Sequence, residues 1–151
     1  RVISSSEVPT VELEPSSFVL KFVPDYGQPA YDIIIGDANG EHVRVSQDEK
    51  RNLTVDRSKS GDVAYHEYLQ DELYLSRTVE PRTTTAGECI ITFDGVLLEV
   101  YSDEGSRIVT MVCYPSKPYS SLTLSGIENA TLEQLKPYEA PHATDYYVNA
   151  K

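Results

Sequence analysis

Tryptophan is absent from the 151 residues, methionine occurs once and cysteine twice. Two thiols cannot build a structural zinc site, and the spacing of Cys89 and Cys113 matches no metal motif. They fall on non-adjacent strands of the chain's alternating pattern. Free, buried thiols are therefore expected rather than a disulfide, whose Cα atoms must lie within ~7 Å. Positive charge is scarce too: 13 Lys and Arg face 24 Asp and Glu, for a formal net charge of −11. An acidic surface repels phosphate backbones and anionic headgroups, so neither nucleic acid nor membrane is an expected partner. Apolar runs such as Ile33-Ile34-Ile35 are strand-sized, far below the ~18 residues of a spanning helix. No Gly-x-Ser-x-Gly and no phosphate loop occurs. The histidines, His42, His66 and His142, have no spacing that makes a metal face. Asp37-Ala38-Asn39-Gly40 opens like a calcium loop but lacks the helices and the closing Glu, and reads as a turn. No cofactor is implied. The chain shows no leader and starts at Arg1 rather than Met, so it is expected to come from a longer protein of open compartment.

What is present is β-forming. Hydrophobic residues make up 40% and charged residues 25%, an ordinary globular balance, and the length suits one domain. Val, Ile and eleven Tyr suit pleated, half-buried surfaces. Phe18, Leu20 and Phe22 alternate with Val19, Lys21 and Val23. After Pro24-Asp25-Tyr26-Gly27 come Tyr31 to Ile35, a turn at Gly36 to Gly40, then Val43 and Val45, then Leu53 and Val55. Cys89 to Phe93 and Leu97 to Tyr101 flank Asp94-Gly95, the strongest short-range hairpin signal. Ser102 to Gly105 turns the chain into Arg107 to Tyr114, and Leu122 to Leu124 and Ala130 to Leu135 close the pattern. Short strands at this spacing predict an all-β, two-sheet antiparallel β-sandwich. The expected organisation is a linker and edge strand over 1–15, the sandwich over 16–137 and a tail over 138–151, with one further edge strand at Tyr146 to Val148. The middle, Ser58 to Pro81, reads as a loop packed over the sandwich.

Two blocks resemble a known family. Leu53-Thr54-Val55-Asp56-Arg57-Ser58-Lys59-Ser60-Gly61 is similar to the Val-Asp-Arg-Ser-x-Ser-Gly segment in the C-terminal β-sandwich of glycoside hydrolase family 32, the invertases, inulinases and levanases. Tyr65, Tyr68 and Ser76-Arg77 stand where that family has spaced aromatics and a Ser-Arg pair. Phe93 to Gly105 resembles the family's Val-Asp-Arg-Ser-Ser-Val-Glu-Val-Phe-x-Asn-Asp-Gly without a gap, with Gly95-Val96-Leu97 replacing Arg-Ser-Ser. Ile108-Val109-Thr110 and Tyr114-Pro115 match the family's next strand and its Phe-Pro. The resemblance spans roughly Ser16 to Pro137.

The resemblance implies a supporting role. In that family the chemistry belongs to a five-bladed propeller with Asn-Asp-Pro-Asn-Gly, Arg-Asp-Pro and Glu-Cys motifs. The first two do not occur here, and the chain is too short for such a propeller. Glu88-Cys89 imitates the third, but glycoside hydrolysis needs two flanking carboxylates, and the dipeptide reads as the start of a strand. No catalytic residue is expected. The reading is a non-catalytic module that supports a catalytic propeller in a sucrose- or fructan-cleaving hydrolase and assists substrate or subunit contact, a homodimer included.

An autonomous module for fructose or fructan ends and an immunoglobulin-like interaction domain are the alternatives. The last is weakened by the missing Cys…Trp…Cys signature. Candidate residues for a fructose-containing carbohydrate are Asp56, Arg57, Tyr65, His66, Tyr68, Asp94 and Glu99. The bland reading makes Asp56-Arg57 a turn contact or ion pair and Glu99 an outward strand residue. Asn52 and Asn129 head glycosylation sequons, meaningful only in a eukaryotic secretory pathway.

Overall fold

Where polar and apolar residues alternate, every second side chain faces one way, and such a strand can bury one face only. Phe18–Phe22 follows this pattern, with Phe18, Leu20 and Phe22 buried and Lys21 exposed. A computed structural model describes residues 1–64, 72–84 and 86–135. Its strands are β1 (Val2–Ile3), β2 (Thr10–Glu12), β3 (Phe18–Phe22), β4 (Tyr31–Gly36), β5 (His42–Gln47) and β6 (Leu53–Asp56). After a single helical turn, α1 (Glu72–Leu75), come β7 (Ser76–Val79), β8 (Cys89–Phe93) and β9 (Leu97–Ser102). The last three are β10 (Arg107–Val112), β11 (Ser121–Ser125) and β12 (Ala130–Gln134).

They form two six-stranded antiparallel sheets: β1-β12-β3-β8-β9-β10 and β2-β11-β4-β5-β6-β7. This is the expected sandwich. Its core is the two inner faces pressed together, and each fully buried Val, Leu, Ile or Phe contributes about 1.5–3 kcal/mol relative to exposure. Phe18, Leu20, Tyr31, Ile33, Leu53, Val55, Ile91, Phe93 and Val100 are all buried, as the alternation requires. The same alternation leaves Val112, at the end of an edge strand, only half-buried.

Two segments differ from the expectation. The first fifteen residues supply two short strands, one to each sheet: β1 pairs with β12 and β2 with β11. Residues 4–9 cross between the sheets, with Val8 packed against the core. That crossing closes one long side of the sandwich. On the opposite side the edges are β10 and β7, and β7 lies within the stretch expected to be a loop. It pairs in register with β6, Val55 opposite Arg77. The expected tail and the strand at Tyr146 to Val148 lie outside the described residues, as do Tyr65, His66 and Tyr68.

Candidate functional site

At the end of β6 the chain turns a corner built from the first resembling block. Asp56 Oδ1 accepts a hydrogen bond from Ser58 N at 2.8 Å, and Ser60 N donates to Arg57 O at 2.9 Å. Gly61 follows with φ +141; a Cβ there would meet Tyr114 O at 2.2 Å, so only glycine fits beside that carbonyl. Asp62 N donates to the same oxygen at 2.9 Å, and the Tyr119 hydroxyl donates to Ser60 O. Arg57 is 1% exposed. Its backbone N–H donates to Leu75 O at 2.8 Å and its Nε to Tyr74 O at 2.6 Å. Arg57 thus fastens α1 and β7 onto the sheet from inside, and Asp56 shapes the turn.

The other described candidates lie on the opposite sheet. Asp94 is exposed and caps the β8–β9 hairpin, its Oδ1 accepting from Val96 N at 2.9 Å and Leu97 N at 2.6 Å. Glu99 stands two residues before Tyr101 on the outer face of β9 and accepts a hydrogen bond from the Tyr101 hydroxyl, which raises the phenol's pKa. The two pairs therefore sit on different sheets, each engaged locally. Of the sequons, Asn129 is exposed, whereas Asn52 donates through Nδ2 to Asp48 Oδ2 at 2.9 Å.

Between the edge strands β7 and β10 opens a groove of about 620 Å³. Arg57, Tyr74, Ser76, Arg77, Thr78, Thr110, Met111 and Val112 line it. Tyr74 is 52% exposed there. No aspartate or glutamate is among these described lining residues of an acidic chain.

At the other end of the sandwich is a buried ionic cluster that the sequence reading did not anticipate. Arg107 is 1% exposed; its Nη1 donates to Arg51 O at 2.7 Å and Val79 O at 2.9 Å. Its Nη2 donates to Gln47 Oε1 and Ser102 Oγ, each at 3.0 Å. Asp103 Oδ2 lies 3.0 Å from Arg107 Nη2 and 2.9 Å from Arg51 Nη2. Arg51, Asp103 and Glu104 all hold positive φ, the left-handed turn conformation. One signal could have revealed the cluster. Arg107 is in phase with buried Val109 and Met111, and Gln47 with buried Val43 and Val45.

Cys89 and Cys113 are both free and buried. Burial pushes the Cys89 thiol up to about 12 and the Cys113 thiol up to about 11. Glu88, just before β8, is exposed and shares a shallow surface depression with Ile90, Tyr101, Glu104 and Gly105. His42 Nδ1 lies 2.9 Å from Gly40 O. Asp37 shapes the β4–β5 turn, its Oδ1 accepting from Asn39 N at 2.9 Å. Among the described residues no group of three or more His, Cys, Asp or Glu could hold a metal ion, and no helix is long and apolar enough to cross a membrane.

No protein-family model matches the chain, and no curated protein matches it by sequence. Solved structures do. An exo-inulinase from Aspergillus awamori superposes with a TM-score of 0.65 at 21% identity, over 91% of this chain and 26% of that one. A sucrose-6-phosphate hydrolase from Lactobacillus gasseri gives 0.69 at 15% identity, over 87% and 27%. The galectin LEC-6 of Caenorhabditis elegans gives 0.58 at 9% identity, over 88% and 96%. The chain thus spans about a quarter of the length of the two hydrolases and nearly all of the galectin. Two facing six-stranded sheets, matched to that quarter, give this chain the fold of the C-terminal β-sandwich of glycoside hydrolase family 32 enzymes.

Proposed function

We propose that this chain is a non-catalytic β-sandwich module of a sucrose- or fructan-cleaving glycoside hydrolase, serving to support the catalytic propeller. The observation that carries this reading is the likeness to one quarter of two such hydrolases. The two outer faces add support. On the second sheet the outward row is polar around one isoleucine: Thr123, Ile34, Arg44, Asp56 and Ser76 stand in register, with Arg44 Nε 2.7 Å from Asp32 Oδ1. On the first sheet Lys21, Ile90, Tyr101 and Ile108 stand in register, and Ile108 is 57% exposed. Three neighbouring apolar side chains in that row, Ile90, Tyr101 and Ile108, are what a docked domain would cover.

The experiment is direct. The purified chain releases no fructose from sucrose, inulin or levan above a blank, and Glu88→Gln changes nothing. Turnover abolished by Glu88→Gln would overturn the non-catalytic reading. The second reading, an autonomous carbohydrate-binding module, is favoured by the near full-length likeness to a galectin. It predicts saturable sugar binding by the chain alone.

A further inference from the structure

We propose that the groove between β7 and β10 is a saccharide-binding site, with Tyr74 as the stacking platform and Arg77 as the hydrogen-bond donor. This goes beyond a supporting role and uses residues outside the candidates read from sequence. Strand parity places the donor. Arg77 shares the inward side of β7 with Val79, which packs against the core. β7 is the last strand of its sheet, so Arg77 emerges at the mouth between the two sheets and stays exposed. Across the gap, the edge strand β10 contributes Thr110, exposed, and Val112, half-buried, over the nearly buried Met111. Tyr74, anchored through its carbonyl to Arg57, is 52% exposed in the groove.

This set of groups selects the ligand class. Sugars present C–H faces to aromatic rings and hydroxyl oxygens to planar donors, and the groove offers a ring, an apolar floor and a guanidinium. Its volume of about 620 Å³ falls within the ~300–1,000 Å³ of small-molecule sites. A phosphorylated or otherwise anionic ligand fits less well. Arg57 is 1% exposed, which leaves Arg77 as the only exposed cation among the described lining residues, in a chain of net charge −11.

Two-dimensional amide NMR of the chain tests the site. The probes are fructose, inulin and levan oligosaccharides, with lactose as a galactoside arm and inorganic phosphate as an anion arm. The expected result is saturable shifts of the Tyr74, Arg77 and Thr110 amides with at least one sugar and little dependence on salt. Tyr74→Ala and Arg77→Ala each weaken binding about tenfold or more. Tyr74→Phe retains it, and Glu133→Gln, exposed on β12 and remote from the groove in the strand order, leaves it unchanged. The inference is overturned if no sugar shifts these amides at tens of millimolar. It is equally overturned if phosphate shifts them as strongly and salt abolishes the effect, or if the shifts map to Glu99 and Tyr101 instead. Failure here leaves the propeller-support reading intact, because that reading is tested by fructose release and not by sugar binding.

Discussion

Arg107 is the side chain whose removal should be felt most. It satisfies two backbone carbonyls, a buried amide and a buried hydroxyl, and it neutralises Asp103. Arg107→Met keeps much of the packing but leaves a buried carboxylate short of a partner, which costs about 3–5 kcal/mol. Urea denaturation should show that loss. The double variant Arg107→Met with Asp103→Asn should recover part of it, and a double variant weaker than the sum of the singles would contradict this account. The cysteines give a second prediction, in pH. Cys89 and Cys113 hold their protons to about 12 and about 11, above the ~8.5 of an exposed thiol. As pH rises past the exposed value, the unfolded chain releases these protons first. Stability therefore falls from about pH 9 upward and is fully present below it. Each unit of separation is worth about 1.4 kcal/mol. Replacing both cysteines with alanine should flatten the slope of the denaturation midpoint between about pH 9 and 11; an unchanged slope would remove the thiols as its cause.

The β8–β9 hairpin shows what local sequence can specify by itself. Asp94-Gly95 sits between two alternating runs, and the structure puts Gly95 at φ +105 with Asp94 bridging the turn. The nearest atom to a Cβ at Gly95 is Ser16 Oγ, at 3.9 Å, so space is not the constraint. Gly95→Val should nonetheless lower stability by roughly 1 kcal/mol or more, because a β-branched residue resists that φ. An unchanged Tm would remove the positive-φ requirement. Elements lacking such signals were harder to read. β1 and β2 are two and three residues long, too short for alternation to register. β7 reads Ser-Arg-Thr-Val, and the arginine on its inward side breaks the apolar alternation that would have identified it. The same inversion hid the interior of the candidate site. Asp56-Arg57 was legible as a block, but Arg57 continues the buried phase of Leu53 and Val55, which makes it an anchor inside the sheet. The groove itself, made by two strands some thirty residues apart, leaves no local trace.

At the scale of the whole molecule, the two sheets present unlike outer faces, and the difference carries a prediction about assembly. If the chain supports a propeller as proposed, the Ile90–Tyr101–Ile108 row is the face expected to be covered. Ile108→Glu should then lower the Tm of the two-domain enzyme by several degrees. The isolated chain, where Ile108 is already 57% exposed, should change little. Equal losses in both would point to a role within the sandwich and against a docked face.

Sandwiches with open sides face a further hazard, since an unpaired strand invites another chain to extend the sheet. Here the open edges are β7 and β10, and each carries an arginine on its inward side, Arg77 and Arg107. A second copy adding its edge to β7 would have to continue a core that begins with the exposed Arg77 guanidinium, whereas Arg107 on β10 is buried and paired with Asp103. The apolar surface of the incoming strand would lie against a charge. Arg77 is therefore expected to guard its edge against self-association. Arg77→Val, which restores apolar alternation to β7, should yield a chain that stays folded yet scatters more light as its concentration rises.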